Sequence, residues 1–222
     1  EKISKKWNKT PMMARTHGQP ASPTLLGKEI YVFVNRLKKE LDCTQKISFL
    51  AKFGGATGNF NAHTAAFPKV DWHKFGNNFV EQKLKIQRIK YSTQIDDYDN
   101  LARLFDSIKR TNNILLDFSK DIWSYISFDY FKQKLLKNEI GSSTMPHKIN
   151  PIDFENAEGN LGLGNAMFNH LSSKLPISRL QRDLTDSTVL RNIGLPFAYS
   201  IISYKSLKKG INKLIINKIK IK

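Results

Sequence analysis

Residues 101–126 read LARLFDSIKRTNNILLDFSKDIWSYI, and their apolar side chains recur at helical spacing over about seven turns. The recurring positions are Leu101, Leu104, Phe105, Ile108, Leu115, Phe118, Ile122 and Ile126. Spacings of three and four place these side chains along one face of an α-helix. Because such a face must be covered, and because long helices usually pack antiparallel, the stretch predicts a bundle of long helices.

The rest of the chain is also predicted to be mainly helical. A first helix is expected to begin at Ser22-Pro23, with an N-cap serine and a proline in the first turn, and to end before the glycines of FGGATGNFNAH. Further helices are expected at 68–84, from Asn150-Pro151 onward, and from Asp186 to the end of the chain with a bend at 194–196. Residues 91–99 and 138–151 are predicted to be loops, and no strand is predicted. The expected fold class is therefore all-α, a long antiparallel helical bundle, with residues 1–222 forming one domain.

Composition and charge limit the possible class of protein. The chain has 222 residues, of which 40% are hydrophobic and 25% charged, as in a globular protein. The single cysteine, Cys43, excludes an intrachain disulfide and a zinc site built from several cysteines of one chain. No apolar run approaches the roughly 20 residues of a membrane helix, and the opening EKISKKWNKT is not a secretory signal. A cytoplasmic protein without a membrane partner is expected.

The formal net charge of +17 has three possible explanations. It could indicate a nucleic-acid surface, but no KH, RRM or zinc-finger pattern supports a nucleic-acid partner. It could reflect AT-rich codons, since the lysines are scattered and accompany many Asn and Ile residues. It would also attract a small polyanionic substrate.

Three polar stretches stand apart from the helical pattern: RTHGQP at 15–20, YSTQ at 91–94 and GSSTMPHKINP at 141–151. A histidine in a loop is most often only solvated, and the second stretch is also what a helix-capping loop would contain. The third stretch combines glycine, hydroxyls, a lysine and an asparagine directly before a predicted helix N-terminus. Unpaired N–H groups at such a terminus suit a carboxylate or phosphate, so this stretch indicates an anion site.

The third stretch resembles the signature segment GSSxMPxKxNP of the fumarase/aspartase superfamily at every defining position. Within that superfamily the chain resembles the adenylosuccinate lyase family, particularly its bacterial form. The matching runs are ARTHGQPASPTLLGKE, FGGATGNFNAH, YSTQID, PIDFENAEGNLGLGNA and SRLQRDLTDSTVLRN. Argininosuccinate lyases and fumarases share the signature segment but not DLTDSTVLRN.

The resemblance implies that the chain is the central helical domain of a longer lyase of purine nucleotide biosynthesis, with the family's N-terminal and C-terminal domains outside it. It further implies a homotetramer, in which the helices of four subunits form one bundle and each active site draws on three subunits. Neither a metal nor an organic cofactor is implied.

The implied reaction is β-elimination of fumarate, from adenylosuccinate to give AMP and from the succinylaminoimidazole carboxamide ribotide. A proton must leave a carbon beside a carboxylate, so the intermediate needs nearby positive charge and hydrogen-bond donors. The departing nitrogen needs a proton from a general acid. By motif match, His17 is the general acid, Ser142 is the general base, and Glu155 orients and charges the histidine.

The resemblance also implies a set of substrate-binding residues. These are Thr16, Gln94, Ser143, Lys148, Asn150, Asn156, Arg182, Ser187 and Arg191. Lys148 and Asn150 would hold a succinyl carboxylate, and Gln94 and Asn156 would contact the succinyl part. Arg182, Ser187 and Arg191 would face the nucleotide, although helix-surface ion pairs would also account for the two arginines.

Alternatives remain open from the sequence. The chain could be an inactive structural relative of the superfamily, an argininosuccinate lyase-like enzyme, or a basic RNA-binding module. Against an inactive relative, His17, Ser142, Lys148, Asn150 and Glu155 are all present. His63, His73 and His170 lack metal-ligand spacing and are expected to be structural or solvated, and Trp123 is expected to be a core or interface side chain.

Overall fold

Long helices dominate the computed structural model, which describes residues 1–136, 140–145 and 147–221. The helices are α1 (Lys2–Lys6), α2 (Leu26–Gln45), α3 (Asn61–Ala66), α4 (Trp72–Asn77), α5 (Asp99–Ser127), α6 (Ile152–Lys174), α7 (Thr185–Leu190) and α8 (Gly194–Lys213). A π-helical segment, Asn78–Lys83, directly follows α4. The helical fold class predicted from the sequence is confirmed, and α5 coincides with the stretch that predicted it.

Short strands accompany the helices, contrary to the expectation that the chain contains none. They are β1 (Pro11–Thr16), β2 (Gln19–Leu25), β3 (Leu50–Ala51), β4 (Gln87–Arg88), β5 (Phe131–Gln133) and β6 (Leu214–Ile216). β1–β2 and β5–β6 pair antiparallel, and β3–β4 pair parallel. Strands β3 to β6 have only two or three residues, too few to show alternation in a sequence. The longer β1 and β2 do not alternate between buried and exposed side chains either, so they lack the pattern that would reveal a strand.

The predicted start of the first long helix at Ser22-Pro23 was wrong. Both residues lie in β2, where Pro23 pairs with Met13, and α2 begins only at Leu26. An N-cap motif is a local signal, and here pairing with a distant strand overrides it. The proline is tolerated because β2 has a free edge.

Two other predicted helices have different boundaries. The helix expected at 68–84 begins at Trp72, after the Asp71 side chain accepts a hydrogen bond from the backbone N–H of Lys74 at 3.0 Å. The helix expected from Asp186 to the end of the chain is divided into α7 and α8, and β6 follows α8. Pro196 does not bend a continuous helix: it lies in the first turn of α8, where its missing N–H is not needed.

The chain divides into two compact units. The first unit comprises residues 1–41, 110–165 and 197–222, and the second comprises residues 42–109 and 166–196. The prediction that residues 1–222 form one domain stays a prediction.

In the first unit, the order of the ion pairs shows that α2 and α5 run antiparallel. Arg36 of α2 contacts Asp117 of α5 at 2.5 Å, and Glu40, one turn later on α2, contacts Arg110, two turns earlier on α5. The predicted antiparallel packing of the long helices is therefore observed for this pair.

Helices α6 and α8 also run antiparallel, and they approach closely. The Ser203 hydroxyl of α8 donates to the carbonyl oxygen of Ala157 on α6 at 3.2 Å. Near the start of α6, Gly210 faces Phe154, whose ring would lie only 2.9 Å from an added Cβ. A side chain at position 210 would thus collide with a fully buried ring, which explains why glycine occupies this turn of α8.

A buried ion pair fixes the same helix crossing. The Lys213 ammonium lies 2.5 Å from the Asp153 carboxylate, and both side chains are less than 10% exposed. Apolar residues surround this end of the unit in one core: Trp7, Met12, Leu26, Ile30, Phe118, Ile122, Tyr130, Phe131, Phe154, Ala157, Leu161, Leu207, Leu214 and Ile221. The start of α6 is therefore anchored by both charge and apolar packing.

The second unit has its own apolar packing. Phe105 and Phe168, both fully buried, lie with ring centroids 5.6 Å apart. Phe60 packs edge-on against Phe53 and His63, with the Arg88 guanidinium 5.5 Å from its ring centroid. These rings hold the glycine-marked segment of 54–58 against the α4 region.

Replacing Lys213 by Met should lower the free energy of unfolding by about 3–5 kcal/mol, because the Asp153 carboxylate would then be buried without its close partner. Urea unfolding of the whole protein, followed by circular dichroism, measures the loss. The matched control is Lys209→Met, since Lys209 is half exposed and lies 3.8 Å from the same carboxylate. The control should cost at most about 1 kcal/mol. Equal losses for the two variants would contradict the anchoring role of the buried pair.

Candidate active site

His17 lies at the tip of the β1–β2 hairpin. Thr16 pairs with Gln19, so His17 and Gly18 form a two-residue turn with φ angles of 53° and 75°. Such a turn needs positive φ at both residues, which glycine adopts freely and histidine only under strain. Thr16 and His17 are exposed, and the imidazole makes no hydrogen bond to another described residue. The tight turn thus leaves the imidazole exposed at the hairpin tip.

Arg15 holds this turn in place. Its guanidinium donates to the Gly18 carbonyl at 2.8 Å and to the Tyr130 hydroxyl at 3.3 Å. The same group lies 4.4 Å from the centroid of the Phe128 ring. A planar cation that both donates and stacks fixes its neighbours well, so Arg15 restrains the backbone that carries His17.

Ser142 occupies a turn in which backbone donors point at its side chain. The Oγ atom accepts from the N–H of Met145 at 3.1 Å and from that of Thr144 at 3.4 Å. Ser143 is exposed, and its hydroxyl lies 3.4 Å from that of Thr144. N–H groups directed at an oxygen stabilise negative charge on it, so the turn suits a serine that gives up its proton. Pro146 of the signature segment, and 138–139 of the predicted loop, lie outside the described residues.

The end of the signature segment is fixed beside the start of α6. The Asn150 N–H donates to the Gly141 carbonyl at 2.9 Å, and Gln133 Nε2 donates to the Ile149 carbonyl at 3.2 Å. Lys148 is exposed, and its ammonium makes no ion pair with another described residue. The loop is therefore closed at its base, while the cation remains available to an anion near the helix N-terminus.

Glu155 lies in the first turn of α6 and is held by an indole. The Nε1–H of Trp123 on α5 donates to Glu155 Oε1 at 3.0 Å. Trp123 is 43% exposed, so of the two positions expected for it, core or interface, the core is not observed and the interface stays a prediction. Position 123 does not belong to the apolar stripe of α5, and this was the sequence signal that could have placed it at a polar surface.

Asn156 follows Glu155 on α6 and contacts a different helix. Its Nδ2 donates to the Ser206 hydroxyl of α8 at 3.2 Å, and that hydroxyl donates to the Asp153 carbonyl at 2.8 Å. The Asn156 side chain also accepts from Asn160 at 3.0 Å. Its position is thus set by the same helix crossing that buries Asp153.

In the second unit, the segments carrying Gln94 and Arg182 are joined directly. The Gln94 N–H donates to the Gln181 carbonyl at 3.4 Å, and the Arg182 guanidinium donates to Gln94 Oε1 at 3.3 Å. Arg182 and Arg191 are exposed, and neither forms an ion pair with another described residue. The alternative that these arginines serve surface ion pairs therefore finds no support within the described part of the chain.

Tyr98 and Asp186 form a second connection between the same segments, one that sequence analysis missed. The Tyr98 hydroxyl donates to Asp186 Oδ2 at 2.9 Å. Burial and this hydrogen bond raise the pKa of Tyr98 to about 12, so the phenol stays protonated and remains a donor. Asp186 is 5% exposed and directly precedes Ser187 on α7. The partners are 88 residues apart, and neither belongs to a motif that pairs them.

The predicted site residues fall into two groups. The first unit carries Thr16, His17, Ser142, Ser143, Lys148, Asn150, Glu155 and Asn156, and the second carries Gln94, Arg182, Ser187 and Arg191. Among the described residues no hydrogen bond joins His17, Ser142 and Glu155 to one another. Gln94 and Arg182 are in direct contact. The assigned roles stay predictions.

In residues 1–136, 140–145 and 147–221, no three His, Cys, Asp or Glu side chains are grouped as they would be around a metal ion. None of the helices in these ranges is both long and apolar enough to cross a membrane.

Comparison with known proteins connects this geometry to a family. The sequence profile of the lyase family matches residues 1–167, and that of the adenylosuccinate lyase C-terminal family matches residues 178–222. The fold is similar to that of a class II fumarase from Schistosoma mansoni, with a TM-score of 0.72 over 99% of this chain and 50% of that one, at 19% identity.

Curated relatives agree with the profiles. An adenylosuccinate lyase from Dictyostelium discoideum is 57% identical over 97% of this chain and 47% of its own length. One from Legionella pneumophila is 58% identical over 93% of this chain and 45% of its own length. One from Escherichia coli K12 is 54% identical over 94% of this chain and 45% of its own length. The chain thus spans about half the length of the curated relatives it matches. With a lyase profile over most of its length and relatives of this similarity, the chain belongs to the adenylosuccinate lyase family of the fumarase/aspartase superfamily.

Proposed function

We propose that the whole protein cleaves adenylosuccinate to AMP and fumarate, and cleaves the succinylaminoimidazole carboxamide ribotide by the same β-elimination. One observation carries the proposal: two N–H groups point at Ser142 Oγ, and Lys148, exposed and without an ion pair to any described residue, follows this turn in sequence and precedes α6. A base able to hold negative charge, beside a site for a carboxylate, is what removal of a proton next to a carboxylate requires.

The elimination begins at Ser142. Its hydroxyl first releases its own proton to solvent, and the resulting alkoxide takes the proton from the succinyl carbon beside the carboxylate. The electron pair left on that carbon delocalises into the carboxylate. Lys148, the Asn150 side chain and the positive end of the α6 dipole stabilise the charge that accumulates there. Because this charge is larger in the transition state than in the substrate, these contacts accelerate the reaction as well as hold the substrate.

The reaction ends at the nitrogen. His17 donates a proton to the departing amine as the carbon–nitrogen bond breaks, and a double bond forms in fumarate. Glu155 accepts a hydrogen bond from the ring nitrogen on the other side of the imidazole and favours its charged form. The exposed imidazole at the hairpin tip, which has no hydrogen-bond partner among the described residues, supports this role.

The nucleotide end is assigned to the second group of residues. Arg182 and Arg191 offer planar donors to a phosphate, and Ser187 lies on the same short helix as Asp186. Gln94, hydrogen-bonded to Arg182, would contact the succinyl part. The +17 formal charge would favour the approach of such a polyanion.

A homotetramer with shared active sites is part of this proposal. His17 is exposed and makes no hydrogen bond to Ser142 or Glu155 of its own chain. Leu163, Ile201 and Ile202 are about half exposed on α6 and α8, and large apolar side chains are usually covered. Assembly would cover such faces and bring the acid of one copy to the base of another. A cytoplasmic location fits a chain with one exposed cysteine.

The purified whole protein should release fumarate from adenylosuccinate, detected by absorbance with AMP confirmed by chromatography. Argininosuccinate is the matched control, because it presents the same succinyl group on a different leaving nitrogen. Turnover of argininosuccinate without turnover of adenylosuccinate would show an argininosuccinate lyase-like enzyme. Absence of both activities in folded protein would support the inactive structural relative.

His17→Ala and Ser142→Ala should each lower kcat by about 10²–10⁴-fold, because each removes a general acid or base. If sites are shared, mixed oligomers of the two variants should regain part of the activity, since some sites then contain both wild-type residues. Subunit exchange verified by native mass spectrometry is the control. Exchange without recovered activity would contradict shared sites.

Lys148→Met should lower kcat as well as raise KM, because the lysine binds a carboxylate whose charge grows in the transition state. Binding of AMP alone, measured by calorimetry, should change little. The comparison variant is Lys132→Met, a neighbouring exposed lysine on β5 with no assigned role. A Lys148→Met enzyme with normal kcat would remove Lys148 from the chemistry.

A further inference from the structure

Helices α5 and α6 are joined by two successive polar contacts at the end of the bundle where α6 begins. Trp123 of α5 donates to Glu155 of α6 at 3.0 Å. One turn further along α6, Glu158 contacts Lys120, one turn earlier on α5, at 3.4 Å. The reversed order shows that the two helices run antiparallel here. The two contacts lie next to each other at the protein surface. Only the Trp123–Glu155 contact involves a residue with a proposed role in the reaction, which is Glu155.

The two contacts differ in how firmly they hold the glutamate. Lys120 has a long flexible stem and is 66% exposed, so its pair with Glu158 contributes little order. The indole of Trp123 is rigid, with two side-chain torsions and one N–H of fixed direction. A carboxylate that accepts from this N–H through one oxygen has its rotamer restricted, while its second oxygen stays free.

Helix geometry leaves Glu155 few other restraints. Its side chain is exposed at the start of α6 and forms no other hydrogen bond with the described residues. A solvated glutamate can adopt many rotamers, and ordering one costs side-chain entropy. If Trp123 already orders the glutamate, its carboxylate loses less side-chain entropy when it binds the imidazole.

We propose that Trp123 is a positioning residue for the lyase reaction: its indole N–H fixes the Glu155 carboxylate so that the free oxygen can accept from His17. The inference rests on the proposed function, because it needs Glu155 to act on the catalytic histidine. Trp123 touches neither the substrate nor the reacting atoms. It acts only through Glu155, so its loss should affect the chemical step more than substrate binding.

Three variants of the whole protein test the proposal in the adenylosuccinate assay. Trp123→Phe removes the donor and part of the ring. Trp123→3-benzothienylalanine keeps the bicyclic shape and replaces only the N–H by sulfur. Lys120→Gln is the matched control, because it removes the neighbouring ion pair between the same helices. Native mass spectrometry and circular dichroism establish that each variant is assembled and folded.

Both Trp123 variants should lose kcat by about 10- to 100-fold, as expected for a lost hydrogen bond to a charged group, with KM nearly unchanged. Lys120→Gln should retain both constants. Normal kcat in the benzothienyl variant would overturn the proposal, since packing rather than the N–H would then matter. An equal loss in Lys120→Gln would overturn it as well. If the unmodified protein releases no fumarate, the proposed function fails, and this outcome is distinct from a failure of the proposal on Trp123.

Discussion

Asp153 places a carboxylate inside the packed crossing of α6 and α8, where Lys213 neutralises it at 2.5 Å. A charge this deeply buried strongly disfavours any arrangement that separates the two helices or shifts their register, because separation would leave it unpaired. The fully buried Phe154 ring adds a steric requirement, since it packs against Gly210 one turn before Lys213. The first turn of α6 is thereby held in one position, and Glu155 and Asn156 extend from that turn.

The polar residues proposed for catalysis occupy the places where this helical framework ends. His17 lies at a hairpin tip, Ser142 in a turn, and Lys148 and Asn150 just before α6. Backbone N–H groups are unpaired only at such ends and turns, so only there can the chain direct several donors at an anion. The long helices form a rigid framework, and the residues proposed for the reaction lie in the segments between them, as the signature segment does between β5 and α6.

Sequence reasoning succeeded where no distant partner competes with the local signal. The stripe of α5 predicted a helix that the structure confirms, and the segment ending in Asn150-Pro151 correctly predicted the start of α6. It failed where distant residues decide the outcome. Ser22-Pro23 has the appearance of a helix start, but pairing with β1 draws it into a strand. The Tyr98–Asp186 and Trp123–Glu155 contacts join residues 88 and 32 positions apart, which no periodicity or motif reveals.

In the proposed reaction Ser142 and Lys148 act on the succinyl part of the substrate beside the start of α6, and His17 is supplied by another copy of the chain. The most direct measurement is a crystal structure of the whole Ser142→Ala protein with adenylosuccinate bound. The account predicts that the residue at position 142 faces the succinyl carbon that loses its proton, with the Lys148 ammonium about 3 Å from a succinyl carboxylate oxygen. It also predicts that the leaving nitrogen faces His17 of a different subunit. A substrate bound away from the 141–150 segment, or contacted by His17 and Lys148 of one and the same chain, would contradict it.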